Sequence, residues 1–336
     1  MSELLTNNGR KIEVLDEEEL CERGKDFDVS LGFVRVQPGR YLLRGDYVKM
    51  HSNYYNFQFR QDDVLCLSWP KCGQTWTLEL LWNMKHNPNL DNPLAKQSPN
   101  IRTPFFEFDM ITGISNSHSV PEVMEAFERN CPGADPNNGI HTQLLASQKS
   151  PRIIKSHIPL SLWPDDLLKG TKVVYVARNP KDAVVSYEHF SRINKVIAFK
   201  KDMDTFIDYF VKDDLMYGPY WQHLREAWEA RNKENFLLLF YEDMIHDIIG
   251  QLKKIDKYIG TNLTDKQLEN VANHCSFNSM KGRITFSDNV GKSPEGGFFR
   301  KGKVGSWREK LASEQADKID QWTKEHLSDI PFKYEV

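Results

Sequence analysis

The chain has 336 residues, 40% hydrophobic and 27% charged, with 44 basic against 47 acidic side chains and a formal charge of -3. That length fits one large α/β domain or two domains, and the composition is ordinary for a globular chain. Near-balanced charge argues against a protein held on nucleic acid by bulk charge, so any anionic ligand must be gripped by local clusters. Five cysteines, Cys21, Cys66, Cys72, Cys131 and Cys275, are odd in number and widely spaced, with no Cys-x-x-Cys. This suits a reducing compartment and excludes the usual zinc patterns. The N-terminus shows no basic flank before an apolar core, and the longest apolar run, Phe236–Tyr241, is too short to span a bilayer. A cytoplasmic protein with no membrane partner is the expectation.

Residues 1–30 are polar and acidic, with a charge run at Asp16–Glu19. They predict a poorly ordered start and then a helix, a partly disordered extension ahead of a domain spanning 31–336. Phe33–Tyr47 alternates loosely, with Gly39 and Gly45 as turns, and predicts a hairpin lying over a pocket. The rest of the chain is organised around Asp63–Trp76. Val64–Leu67 is a short apolar run of the kind a buried parallel strand uses. Pro70 ends it, Lys71–Thr75 make a tight loop, and Trp76–Met84 read as a helix. Strand, loop and helix with a lysine in the loop form an anion trap: free N–H groups, the positive end of a helix dipole, and an ammonium beside them. The kinase-type P-loop needs Gly-Lys-Ser/Thr, and here the lysine precedes the glycine by two. A thiol-phosphatase loop would carry an arginine six residues after Cys72, where Leu78 stands. A plain βα turn with an exposed lysine stays open on this loop alone.

Residues 87–150 are rich in Asn, Pro and Ser, with an aromatic patch at Thr103–Phe108 and one predicted helix at Pro121–Asn130. A stretch this long is usually functional. It reads as a lid or insert, although aromatics of this kind also serve as plain core. Arg152–His157 is a second strand, and Thr171–Ala177 a third. The third leads into a helix opened by Pro180 and Asp182. Helices follow at Thr205–Val211 and Pro219–Arg231. Asn235–Tyr241 is a fourth strand, and helices at Ile248–Ile259 and Asp265–His274 come after it. Gly282–Gly302 reads as loop and ends in the basic run Arg300-Lys-Gly-Lys303; a last helix covers Lys310–Leu327. Strands alternating with helices give an α/β fold: a single domain with a mainly parallel central sheet flanked by helices. Ligands bind such sheets at the strands' carboxyl ends, where Lys71, His157, Arg178 and Tyr241 all fall.

Three basic clusters, at Lys71–Trp76, at Arg178 with Ser186, and at Arg300–Lys303, suggest a ligand with phosphates at two separate places. The plain alternatives are an Arg178–Asp182 surface pair and a solvated basic turn. His157, near Lys155, should have a depressed pKa that leaves it able to take a proton, but on these residues alone a satisfied structural histidine, one of ten in the chain, is the plainer reading.

These pieces resemble the cytosolic sulfotransferase family from about Phe57 to Trp307, in the same order throughout. Ser68-Trp-Pro-Lys-Cys-Gly-Gln-Thr-Trp76 looks like the family's 5′-phosphosulfate loop, a P-loop-like element. Lys155-Ser-His157 looks like its catalytic-base segment, and Tyr175–Tyr187 like its 3′-phosphate segment. Phe240–Met244 and Cys275-Ser-Phe277 resemble adenosine-side contacts, and Phe299–Trp307 resembles the C-terminal phosphate loop. The resemblance implies transfer of a sulfonate group from 3′-phosphoadenosine 5′-phosphosulfate (PAPS), leaving adenosine 3′,5′-bisphosphate (PAP), to a small hydrophobic alcohol or phenol. It implies His157 as general base, with Lys71, Lys155 and Ser186 also catalytic. Lys71, Cys72, Gly73, Gln74, Thr75 and Trp76 would hold the 5′-phosphosulfate. Arg178, Ser186, Arg300, Lys301 and Gly302 would hold the 3′-phosphate. Tyr241, Cys275, Phe277 and Phe299 would line the adenosine side, with Trp76 and Phe277 flanking the base. Trp69, Phe105, Phe106, Phe108, Tyr187 and Phe190 are candidate acceptor walls, with plain core as the alternative for several of them, and the resemblance implies no metal, since lysines and backbone donors supply the charge stabilisation.

The chain departs from the family pattern at several places. Cys72 and Gln74 replace hydroxyl residues; the Gln74 amide is expected to donate to phosphate, and Cys72 to be an unusually acidic thiol. Ser306 stands where an aspartate is usual. Arg308, Ala312, Ser313 and Asp317 degrade the family's dimer motif, leaving monomer or homodimer open. The 87–150 segment is longer than in ordinary members and similar to the enlarged lid of retinol dehydratase. A dehydratase that eliminates through a sulfonate ester is therefore an alternative, as is a catalytically silent nucleotide-binding protein.

Overall fold

The computed structural model describes residues 3–6, 9–114, 120–284 and 290–327. Its centre is a four-stranded parallel sheet: β5 (Val64–Leu67), β6 (Ile153–Ser156), β7 (Lys172–Ala177) and β8 (Phe236–Phe240), in the order β6-β5-β7-β8. Val64 pairs in register with Ile153 on one side and Lys172 on the other. The strands are short and β-branched, and β5 is buried along its whole length, as a sheet covered on both faces requires. All four strands run the same way, so their carboxyl ends share one edge.

Helix α3 (Gln74–His86) follows β5, and the Pro180–Ile193 helix follows β7. Asn179 caps the latter by accepting from the Lys181 N–H, with Pro180 at its first position. Two apolar cores cover the sheet's faces. One holds Leu65, Leu67, Trp69 and Tyr175; the other holds Val64, Cys66, Val174 and Val176. Alternate residues of β5 and β7 therefore serve opposite cores. The predicted helices at Pro121–Asn130, Ile248–Ile259 and Asp265–His274 are observed at those bounds.

The start of the chain differs from the expected extension. β1 (Glu3–Leu5) and β2 (Lys11–Val14) join β3 (Phe33–Val36) and β4 (Tyr41–Arg44) in one antiparallel sheet. Between β2 and β3, α1 (Glu17–Gly24) is opened by an Asp16–Glu19 capping box, and α2 (Tyr47–Tyr55) follows β4. The helix expected in this stretch is therefore present and begins in the acidic run. The β3–β4 hairpin forms as expected, but Phe33 and Arg44 border only a small void of about 20 Å³ on the far side of Tyr187. No hairpin residue lines the large cavity described below.

Residues 87–150 are not one long loop. Short helices at Pro99–Arg102, Phe108–Thr112 and Ile140–Ser147 accompany the predicted one. Val123, Ala126, Phe127, Ile140 and Leu144 form a small core of their own. Between two of these helices, residues 104–106 lie along β6: the Phe106 N–H donates to the Lys155 carbonyl at 2.9 Å. Residues 285–289 of the expected glycine-rich loop lie outside the described residues.

Candidate active site

Parallel strands leave their last carbonyls and the following loops on one edge of the sheet. There the chain places Lys71 after β5, and His157, Arg178 and Tyr241 immediately after β6, β7 and β8. All four line one continuous cavity of about 290 Å³. The expected Gly73, Gln74, Thr75, Trp76, Lys155, Ser186, Phe277, Phe299, Arg300, Lys301 and Gly302 line it too.

One half is built for anions. The loop before α3 turns through left-handed backbone at Lys71 (φ 66°) and Gly73 (φ 98°). A Cβ on Gly73 would stand 2.5 Å from Tyr241 Cδ2, so only glycine fits that turn. α3 then starts at Gln74, and the N–H groups of its first turn have no intrahelical acceptor. The Arg178 guanidinium donates from Nη1 to the Lys71 carbonyl at 3.0 Å and from Nη2 to the Lys303 carbonyl at 3.2 Å. It stacks on Tyr241 at 4.3 Å. Arg300 donates to Ser306 Oγ at 3.1 Å, and Ser306 Oγ donates to Asp182 at 3.0 Å. Asp182 also accepts from the Gly305 and Trp307 N–H groups, at 2.7 and 3.0 Å. It therefore holds the C-terminal loop and does not pair with Arg178, which removes the surface-pair alternative. Ser306, where the family has an acid, is satisfied by that same Asp182. Gly302 (φ 65°) sits against Phe277: a Cβ there would lie 2.3 Å from the ring.

Arg178 Nε, Arg300 Nε and Nη1, and Trp76 Nε1 are buried without an acceptor. Buried cationic donors left empty are costly, so this half of the cavity fits a ligand with several anionic oxygens. Trp76 and Phe277 offer aromatic surface beside it, with Trp76 edge-on to Tyr241 at 5.8 Å and Phe277 edge-on to Phe299 at 5.8 Å. Lys301 borders the cavity, while its ammonium pairs with Glu309.

Four sequence expectations are corrected here. The Gln74 amide does not face the anion region. Its Nε2 donates to the carbonyls of Cys66 (3.0 Å) and Ser156 (2.6 Å), tying β5 to β6. Both amide hydrogens are thereby engaged, and only the backbone N–H of Gln74 is left for an anion. Cys72 is buried and donates weakly to the Pro70 carbonyl, and burial pushes its thiol up, the opposite of an acidic thiol. Cys275 is likewise core, against Asn83 of α3, and neither cysteine lines the cavity. Trp69 and Phe106 are core as well: Trp69 packs on Tyr187, Phe210 and Tyr220, and Phe106 on Tyr54, Phe57 and Trp163. Phe105, Phe108, Tyr187 and Phe190 do line the cavity.

The other half is apolar and ends at His157. The His157 ring nitrogen Nδ1 lies 2.8 Å from the Ser68 carbonyl. A carbonyl can only accept, so Nδ1 carries the hydrogen and Nε2 is left as a bare acceptor. Burial, then the charge of Lys155, pushes His157 well below the usual imidazole range. Its main chain is fixed at both ends: the N–H donates to Glu107 at 2.6 Å, and the carbonyl accepts from His223 Nε2 at 3.0 Å. Lys155, at about 8 through burial, rests on the Phe105 ring at 3.9 Å. The Lys71 ammonium lies between two rings, 4.3 Å from Phe190 and 3.7 Å from Phe298, and burial pushes it well below the usual lysine range.

Sequence reasoning missed Glu107, Tyr217 and Phe298. Glu107 carried a signal, as the lone acid inside the aromatic run Thr103–Phe108. Tyr217 and Phe298 carried none, since the strand pattern does not say which loop residues fold inward.

The sulfotransferase domain family matches residues 61–331. The chain belongs to the sulfotransferase family. It is a sulfotransferase by that membership and by similarity over most of its length to curated relatives. It is 33% identical over 272 residues to the dog enzyme Sulfotransferase 1A1, covering 79% of this chain and 83% of that one. It is 30% identical to Luciferin sulfotransferase of Photinus pyralis, covering 85% and 77%. Among solved structures, retinol dehydratase in complex with androsterone and the inactive cofactor PAP matches with TM-score 0.83 at 27% identity over 99% of both chains. The same enzyme with retinol and PAP matches with TM-score 0.79 at 26% identity, covering 98% of this chain and 100% of that one. Among the described residues this sulfotransferase has no helix able to span a membrane, and no group of three or more His, Cys, Asp and Glu placed to hold a metal.

Proposed function

We propose that this sulfotransferase moves a sulfonate group from PAPS to the hydroxyl of a small hydrophobic alcohol or phenol, with His157 as general base. The observation that carries the reading is one cavity holding both buried empty guanidinium donors and a histidine whose Nε2 is bare. The donor supplies an activated sulfonate whose leaving group is a phosphate. The first-turn N–H groups of α3 and Lys71 hold the 5′ end, Arg178, Ser186 and Arg300 the 3′-phosphate, and Trp76 and Phe277 the base. His157 Nε2 takes the hydroxyl proton as the acceptor oxygen bonds to sulfur and the bond from sulfur to the bridging oxygen breaks. Lys71 leaves its two rings to neutralise that bridging oxygen, and Lys155 faces the sulfonate oxygens. Negative charge from the ligand raises both lysines back to the protonated form.

A second reading is favoured by the likeness to retinol dehydratase and by the helical 87–150 segment, which would serve as a lid. In it the sulfonate ester of an allylic alcohol forms first, then loses sulfate as a neighbouring carbon loses a proton. The test is a thermal-shift titration with PAP beside ATP, then an acceptor screen of phenols, sterols and retinoids with product masses. A shift with PAP alone supports the donor assignment, and no shift with PAP refutes it. A product heavier by one sulfonate supports transfer; one lighter by water supports elimination.

A further inference from the structure

Glu107 lines no part of the cavity, yet it is fully buried beside its catalytic end. Its Oε1 accepts from the His157 main-chain N–H at 2.6 Å and from the Tyr217 hydroxyl at 3.1 Å. Its Oε2 is buried with no hydrogen-bond partner. A carboxylate kept dry in this way destabilises the fold unless something else calls for it.

Its place in the chain says what that is. Residues 104–106 run beside β6, with Phe106 hydrogen-bonded to the Lys155 carbonyl. The next acceptor in that ladder is a side chain, because Glu107 reaches the amide of His157. The same segment continues into Phe108, Ile111 and Thr112, which wall the apolar half of the cavity. Tyr217, tethered by the same oxygen, lies against the His157 ring at 5.3 Å and lines that wall too. One oxygen thus joins the base, the tyrosine across its ring, and the acceptor wall.

Burial pushes the Glu107 carboxyl up to about 7, with the His157 N–H, Ser156 and Lys155 facing it from β6 and its edge. Tyr217 and Tyr54 face it from the other side.

We propose that Glu107 is a positioning residue, which sets the placement of His157 against the acceptor wall. The role rests on the reading of His157 as the base.

Glu107→Gln and Glu107→Leu separate the hydrogen bonds from the charge. Glutamine keeps an oxygen for both hydrogen bonds and removes the charge; leucine removes both. With PAPS and 2-naphthol as probes, E107L is expected to lower kcat about 100-fold while the Kd for PAP stays within about twofold. E107Q is expected to keep kcat within about threefold of wild type. Tyr217→Phe, which leaves the carboxylate in place, should lower kcat by less than tenfold. In ¹⁵N-histidine spectra the His157 amide should move in E107L and stay in place in E107Q, a readout that needs no acceptor.

Retention of kcat by E107L within twofold overturns the proposal, and so does a loss of kcat in E107Q equal to that in E107L. Equal loss of melting temperature and PAP affinity in both variants, with the rate per PAP-binding site unchanged, also overturns it by showing a merely structural residue. If E107L does not fold, the E107Q rate and the Tyr217→Phe rate decide. If wild type binds PAP but transfers nothing to 2-naphthol, the acceptor reading fails alone, and the amide comparison still decides the role of Glu107.

Discussion

Arg178→Ala tests how the cavity tells one end of its anion from the other. The guanidinium has five N–H donors. Two go to the carbonyls of Lys71 and Lys303, and the buried Nε has no partner. At least two donors are free to reach one phosphate. A hydrogen bond to a charged group contributes about 1.5–3 kcal/mol, so two contribute about 3–6 kcal/mol. Arg300 stays in place, and water enters the space left by the side chain, so the lower end applies. At about 1.4 kcal/mol per tenfold, 3 kcal/mol is a loss of about 100-fold in affinity. The assay is isothermal titration with two ligands, PAP and adenosine 5′-phosphate, against wild type and variant. The variant should lose about 100-fold on PAP and less than about threefold on the monophosphate. Equal loss on both ligands would refute the reasoning, because Arg178 would then act only by holding the Lys71 and Lys303 loops.

Three further outcomes follow from the same geometry. His157→Ala should lower kcat by about 100-fold or more, as expected for loss of a general base, while PAP affinity stays within about threefold; a matching loss of PAP affinity would make His157 structural. Gly73→Ala should abolish PAP binding in titration calorimetry, since its Cβ would stand 2.5 Å from the Tyr241 ring at a φ of 98°; unchanged affinity would mean the loop is not the anion site. PAP binding at pH 8.5 should take up protons. Lys155 lies at about 8 and Lys71 is also depressed in the free protein, and a bound anion raises both. Titrations in buffers of different ionisation heat measure the uptake, and zero net uptake would refute the assigned neighbours.

Much of this arrangement is legible in the sequence because it is local. Val64–Leu67 followed by Pro70 and Lys71 states a strand and its loop, and Asn179-Pro180 states where a helix opens. The capped helices at Asp265–His274 and Ile248–Ile259 are readable residue by residue for the same reason. What stays hidden depends on partners distant in the chain. Gln74 looks like a phosphate donor until Cys66 and Ser156 are seen to occupy its amide. Cys72 looks acidic beside Lys71 until its burial is known. Trp69 and Phe105 are alike in the sequence, yet one is core and the other wall, since that depends on which helix packs over each. The polar start reads as poorly ordered, yet β1 pairs with β2 and β2 with the edge of β3, a partner distant in the chain.

The strand order β6-β5-β7 has a stereochemical result. It sets His157 to one side of the central loop, where the proposed reaction holds the departing 5′-phosphate. An acceptor that gives its proton to His157 would then reach sulfur from the face opposite the leaving oxygen. A sulfonate made chiral with three oxygen isotopes should therefore emerge with inverted configuration after a single transfer.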